Sequence, residues 1–320
     1  LTVVIELEDI QKSLKSVDLL NAMAQGFISY SNGKCVVPAV GELLFDKPKG
    51  DTHIKYGYIK QQNYYVVKIA SGFYENPKIG LASSQGLMLL FAQQTGVPQA
   101  VLLDAGYLTD IRTAAAGALV AKHFAPKQIT AIGIIGTGIQ AMQQLLYLQQ
   151  HTPCKSVWVW SRNPDNAALF AEQLGAEFNV NIATNPAEVA ANTNLIITTT
   201  PSETALLYAE DIQAGTHITA VGADTEHKQE LDSQILAKAD IVISDSIPQS
   251  LSRGEIYQAV KQSVISQESV IELGHALQNP DLQRTNQQQI TVADLTGVAV
   301  QDIMIATAVY ENYLKNSAAE

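Results

Sequence analysis

The run Ile132-Gly133-Ile134-Ile135-Gly136-Thr137-Gly138-Ile139-Gln140-Ala141 carries the clearest chemical signal in the chain. An apolar stretch leads into two glycines one residue apart, and a small residue follows three places later. Gly136 permits a tight turn, Gly138 lets backbone approach a pyrophosphate, and Ala141 leaves room for a helix to pack on the strand. Thr137, Ile139 and Gln140 complete the turn and open that helix, whose free N–H groups and positive dipole end suit phosphate. A plain strand-to-helix turn has the same outline, so the reading leans on its context. The next apolar run ends in Trp160-Ser161-Arg162. Folds that bind NAD place Asp or Glu there, on the ribose 2′-hydroxyl. Ser161 and Arg162 instead predict a 2′-phosphate, and so NADP(H) in preference to NAD(H). The alternative leaves Arg162 in solvent and gives the ribose to Asp165.

Two further clusters hold reactive side chains. Leu108-Thr109-Asp110-Ile111-Arg112-Thr113 reads as the start of a helix with an arginine in its first turn. The helix dipole disfavours a cation there, which points to an anionic partner: a ligand, Asp104 or Asp110. Asp224, in Val221-Gly222-Ala223-Asp224, follows a buried run and so lies at the carboxyl end of a sheet, where doubly wound folds bind ligands. A helix cap and a proton-transfer group both fit that position.

The elements that would position these residues follow from periodicity. Residues 17–30 carry Leu19, Leu20, Met23 and Phe27 on one helical face, and Asn32-Gly33 ends it. Residues 54–59 and 64–70 suit a hairpin, followed by short strands at 86–92 and 99–104, which together make an antiparallel or mixed sheet. A helix over 109–124, capped by Thr109 or Asp110, stops at Pro126. Strands at 129–135, 156–160, 195–199, 217–221 and 241–244 then alternate with helices at 140–150 and 166–174, the pattern of right-handed βαβ units. A last helix covers 297–314. The fold class is α/β: a Rossmann-type doubly wound parallel-sheet domain over 126–295, and an α+β domain built from 1–125 and 296–320 for substrate and dimerisation.

Composition narrows the partners. A net charge of −11 repels nucleic acid and anionic membranes, although a local basic pocket for a small anion remains compatible with it. Cys35 and Cys154 provide neither a disulfide framework nor metal-ligand spacing. No apolar run reaches the length of a membrane span, so the expected compartment is the reducing cytoplasm.

Taken in order, several motifs resemble those of the ornithine cyclodeaminase/mu-crystallin family. They are Val67-Lys68-Ile69-Ala70-Ser71, Thr109-x-x-Arg112-Thr113-Ala114-Ala115, Gly136-x-Gly138-x-Gln140-Ala141, Gly222-Ala223-Asp224 with Glu230-Leu231, Ser252-x-Gly254-Glu255 and Thr296-Gly297-x-Ala299-x-Gln301-Asp302. The resemblance covers nearly the whole chain and implies a homodimeric nicotinamide enzyme. Such enzymes reduce imines of 2-oxo acids, dehydrogenate amino acids or cyclise ornithine to proline. It implies that Lys68 and Arg112 bind the substrate carboxylate, that Lys68 and Asp224 are the catalytic residues, with Asp224 moving the proton on the substrate nitrogen, and that Thr113 joins the cofactor site. Val40 departs from the pattern, since many members carry an arginine there. Lys55 is a candidate replacement, with a solvent-facing lysine as the alternative. The leading expectation is a reductase of 2-imino acids, with Δ1-pyrroline-2-carboxylate and proline as the substrate pair. Ornithine cyclodeaminase with bound NAD, or a crystallin-like binder without turnover, stand as rivals.

Overall fold

A computed structural model describes residues 2–73 and 75–318. The chain divides into two compact units, residues 1–112 with 298–320 and residues 113–297. The divisions fall inside the helix Tyr107–Phe124 and just before the helix Ala299–Ser317, rather than at 125/126 and 295/296.

The 113–297 unit is built on eight strands, all paired in parallel. Their order across the sheet is Asn179–Ile182, Ser156–Trp160, Ile132–Ile135, Leu195–Thr198, His217–Ala220, Thr291–Asp294, Ile241–Ser244 and Val270–Glu272. From Ile132–Ile135 the chain winds outward in one direction, then returns to lay Leu195–Thr198 on the other side. Every residue of the five strands from Ile132–Ile135 to Ile241–Ser244 is buried. That explains the apolar runs Leu195-Ile196-Ile197 and Ile241-Val242-Ile243: a parallel strand covered by helices on both faces has no solvent side to alternate toward. Alternate residues divide between two apolar clusters. Ile132, Ile134, Leu195 and Ile197 join Leu145 and Phe170 in one, while Ile135, Ile196 and Ile218 join Leu231 and Ile235 in the other. This is a Rossmann-type doubly wound sheet, as the alternating pattern predicts.

The other unit holds a seven-stranded mixed sheet in the order Val3–Glu6, Pro98–Leu103, Ser84–Ala92, Tyr64–Phe73, Gly50–Ile59 and Cys35–Val36, with Gly41–Phe45 also on Gly50–Ile59. All its pairings are antiparallel except that of Val3–Glu6 with Pro98–Leu103. The hairpin turn closes through Gln61 at φ +67°. The helix Leu19–Ser31 starts on an Asp18 cap that accepts from the Asn21 N–H, and Gly33 at φ +67° follows its end. Ala299–Ser317 packs on that helix and on the two longest strands. It comes so near Gly26 that a Cβ there would sit 2.8 Å from Met304 Cγ.

Candidate active site

Lys68, in the centre of Tyr64–Phe73, is only 2% exposed, and Arg112 and Lys55 are nearly as deep. The solvent-facing alternative for Lys55 is thereby excluded. Lys55 and Lys68 stand directly opposite each other across the antiparallel pair. Lys68 Nζ lies 3.2 Å from Asp302 Oδ1, and Arg112 Nε lies 3.1 Å from the same oxygen. Arg112 also donates to the side-chain carbonyl of Gln301. Burial pushes the Lys68 ammonium down to about 7, helped by the Arg112 and Lys55 charges and opposed by Asp302. The single carboxylate of Asp302 thus does not offset burial and the neighbouring positive charges at Lys68.

Two expectations need correction here. The helix begins at Tyr107 rather than 109, so Arg112 sits in its second turn, beyond reach of the first-turn dipole argument. The start is set by Asp104, whose carboxylate accepts from the Leu108 N–H at 2.8 Å after the left-handed turn Ala105-Gly106. Nor do Asp104 or Asp110 supply the described counter-ion of Arg112; Asp302 does. Gln301 and Asp302 carry a signal that could have identified them. They are polar, yet share the Ala299–Ser317 helix with the buried Ala299, Ile303 and Ala306, so they point inward.

In the 113–297 unit a cavity of about 300 Å³ opens at the carboxyl ends of three neighbouring strands. Its walls are Gly136–Gly138 after the first strand, Trp160–Asn163 after the second, and Thr199–Ser202 after the strand on the other side. This is the switch point of the winding, where open α/β sheets bind ligands. Gly136 adopts φ +111°, and a Cβ on it would come within 2.6 Å of Thr199 Oγ1. Gly138 precedes the helix Ile139–Leu148 with no side-chain cap on the first-turn N–H groups. The glycine cradle and the uncapped helix start fit a dinucleotide pyrophosphate. Thr137 Oγ1 lies 3.3 Å from Ser161 Oγ, closing that wall.

The structure thus brings Gly136, Thr137, Gly138, Ser161 and Arg162 around one cavity. Ile139 and Gln140 begin the adjoining helix, outside the lining. Thr113 is also outside it; its carbonyl accepts from Gln144 Nε2 at 3.1 Å. Asp165 occupies the first turn of Pro164–Leu174 and does not line the cavity either.

Asp224 lies in an irregular segment past the end of His217–Ala220. The cap alternative fails, because the next helix, Ser233–Lys238, is capped by Asp232. The Asp224 carboxylate is about one-third exposed and pairs with Lys228 Nζ at 2.6 Å. Its backbone carbonyl accepts from Arg253 Nη1 at 3.2 Å. Glu230, six residues on, is fully buried and binds the Thr198 hydroxyl, both polar groups of Thr200 and the Gly222 N–H.

An all-parallel sheet with a glycine cradle at its switch point defines a Rossmann-type α/β protein with the form of a nucleotide site. The sequence model of the ornithine cyclodeaminase/mu-crystallin family matches residues 2–317, and the chain belongs to that family. An uncharacterized cyclodeaminase of Sinorhizobium fredii is 39% identical over 285 residues, covering 88% of this chain and 86% of the relative. An archaeal alanine dehydrogenase, solved as a dimer with bound NAD, superposes with a TM-score of 0.89 at 32% identity, over 99% of this chain and 97% of the other. The Δ1-pyrroline-2-carboxylate reductase of Thermococcus litoralis, in complex with NADH and L-proline, reaches a TM-score of 0.90 at 27% identity, over 99% and 98%.

Proposed function

We propose that the protein is a nicotinamide-dependent oxidoreductase acting on C=N and CH–NH bonds, reducing a 2-imino acid to the amino acid. Δ1-Pyrroline-2-carboxylate to proline is the leading substrate pair. The observation that carries this reading is the buried cluster of Lys68 and Arg112 on a shared Asp302, with Lys55 opposite. Cations sunk this deep are costly, and a substrate carboxylate beside Lys68 and Arg112 adds negative charge that offsets part of that cost. Arg112 offers a planar fork and Lys68 a point charge, which together fix the carboxylate and so the direction of Cα. Lys55 supplies positive charge in the unit where Val40 replaces an arginine.

An imine accepts hydride well only when protonated. Asp224 gives that proton to the substrate nitrogen, stabilises the resulting positive charge, and reverses the transfer in the oxidative direction. The nicotinamide, when bound, supplies hydride to Cα. Gly136, Thr137, Gly138 and the start of Ile139–Leu148 hold the pyrophosphate, while Ser161 and Arg162 hold an adenosine 2′-phosphate. NADP(H) is accordingly the preferred form, with NAD(H) usable. The protein acts as a homodimer, a reading supported by the exposed apolar Leu43, Leu44 and Phe45 on the strand Gly41–Phe45.

A second reading, cyclodeamination of ornithine, is favoured by the name of the Sinorhizobium relative. One assay separates the two. NADPH and NADH oxidation is followed with Δ1-pyrroline-2-carboxylate, Δ1-piperideine-2-carboxylate, and pyruvate or oxaloacetate with ammonia, while L-ornithine is scored by ammonia release. Turnover of an imine, lost by about 10²–10⁴-fold in Asp224→Asn, is the expected result. Ammonia from ornithine without net cofactor change replaces the reductase with a cyclodeaminase, and silence across the panel overturns both. In the same assay Arg162→Ala lowers efficiency with NADPH and spares NADH. Equal use of both cofactors, untouched by that change, sinks the NADP(H) preference. Light scattering of the same sample gives the mass; a monomer overturns the dimer.

A further inference from the structure

Three carboxylates of the 113–297 unit have no part in the chemistry above. Glu230, Glu255 and Asp294 are each at most 1% exposed, and none lines the nucleotide cavity. They are nevertheless ordered in a chain, each accepting from the backbone that carries the next. Asp294 Oδ2 accepts from the Ile256 N–H at 2.9 Å. Glu255 accepts from the Glu230 N–H at 2.7 Å and the Leu231 N–H at 3.1 Å, one on each oxygen. Glu230 in turn accepts from the Gly222 N–H and the Thr198 hydroxyl on one oxygen, both at 2.8 Å. Its other oxygen takes the Thr200 N–H and the Thr200 hydroxyl. The two backbone partners of Glu230, at one end of this chain, are functional ground. Thr200 is part of the cavity wall, and Gly222 stands two residues before Asp224. A side chain at Gly222 would collide with the Thr200 backbone, so the two segments run in direct contact there.

We propose that Glu230 is a positioning residue that locks the Thr200 wall of the nucleotide cavity to the 222–224 segment, and that Glu255 and Asp294 hold Glu230 in place. This rests on the reading of the cavity as a dinucleotide site and of Asp224 as the proton carrier. An apolar side chain of similar volume would fill the same space at lower cost, because buried carboxylates must be desolvated. Only a group with two acceptor oxygens can hold two backbone N–H groups from different strand ends at one separation. Burial pushes the Glu230 carboxyl up to about 7 against the pull of its hydrogen bonds, so the acid is kept there at a cost. The same holds for Glu255 and Asp294, which burial drives well above the usual carboxylate range. What the three residues provide in exchange is a fixed distance between cofactor and proton carrier.

The test uses Glu230→Gln and Glu255→Gln in the full chain. Either amide turns one acceptor oxygen into a donor that faces a backbone N–H unable to rotate away. NADPH affinity is measured by fluorescence titration, alongside kcat, the KM of the carboxylate substrate and the Tm. Glu230→Gln is expected to weaken NADPH binding by about tenfold, the scale of one lost buried hydrogen bond. Its kcat falls by about tenfold to a hundredfold, the scale of a misplaced reacting group, while substrate KM holds. Glu255→Gln gives the same split to a smaller degree, although it lies outside the cavity wall. Should Glu230→Gln fail to fold, Thr198→Val removes one donor to Glu230 at constant volume and is read in its place. Variants that lower Tm but keep wild-type NADPH affinity and kcat overturn the proposal and leave the three acids as fold supports. A wild type silent on every substrate defeats the reductase and cyclodeaminase readings but not this one, since NADPH affinity still reports on Glu230.

Discussion

Lys68 shows how far a single side chain can be read. Its type and motif were visible in the sequence, and the flanking Val66, Val67, Ile69 and Ala70 favoured a buried setting over a water-facing one, but its neighbours there were not visible. The structure buries it against Arg112, Lys55 and Asp302 and brings its ammonium from near 10.5 down to about 7. Between those two values the unfolded chain holds a proton that the native state lacks, so this group's contribution to stability rises with pH across that window and is lost as pH falls to about 7. Binding has the opposite sense. A carboxylate ligand favours the charged lysine, so above about pH 7 its binding takes up a proton, and affinity declines as pH rises, by up to about tenfold per unit. Calorimetry of L-proline or a carboxylate inhibitor in two buffers of different ionisation enthalpy measures that uptake. An affinity flat from about pH 6 to 9 contradicts the assignment of Lys68 as a carboxylate ligand. Asp302 was quoted in a motif without a role. Its meaning depends on Lys68 and Arg112, which lie far from it in sequence, and no local pattern reports that meeting.

At the scale of elements, Ser156–Trp160 and Ile241–Ser244 match the expected bounds residue for residue, whereas the fully buried Thr291–Asp294 escaped notice because Thr291 and Asp294 break its apolar pattern. The run 129–135 begins too early because Asn194 takes over the backbone before the ladder starts: its side chain accepts from the Thr130 N–H and donates to the Gln128 carbonyl. Val3–Glu6 escaped notice because its parallel partner, Pro98–Leu103, lies far along the chain. Asn179–Ile182 escaped because an exposed sheet edge needs no apolar run. The glycine turn was legible for a different reason, since its residues answer to backbone geometry rather than to burial. Gly136 at φ +111°, against Thr199, has room for no side chain. Gly136→Ala is expected to weaken dinucleotide binding by about tenfold or more, because the turn must open to admit the methyl group. Unchanged NADPH affinity in that variant would show that the cradle is not the pyrophosphate site.

The whole molecule is two units with unequal claims on the sequence. One is a continuous stretch, 113–297, and the other is assembled from 1–112 and 298–320. Asp302 and Gln301, which hold Lys68 and Arg112, belong to the second fragment. A ribosome makes the chain from the amino terminus, and domains generally fold as units while they emerge. The sheet that carries Lys55 and Lys68, with the helix start that carries Arg112, is therefore synthesised before the Rossmann-type unit but completed after it. During that interval its cations lack Asp302, and its strands lack the helix Ala299–Ser317 that packs on them. Nascent chains stalled before residue 298 should yield a protease-resistant 113–297 core with a sensitive leading segment, and resistance of both would refute that order. On this account the pocket of Lys55, Lys68 and Arg112 is sealed only once residues 299–317 have been made, and until then these cations stay open to water.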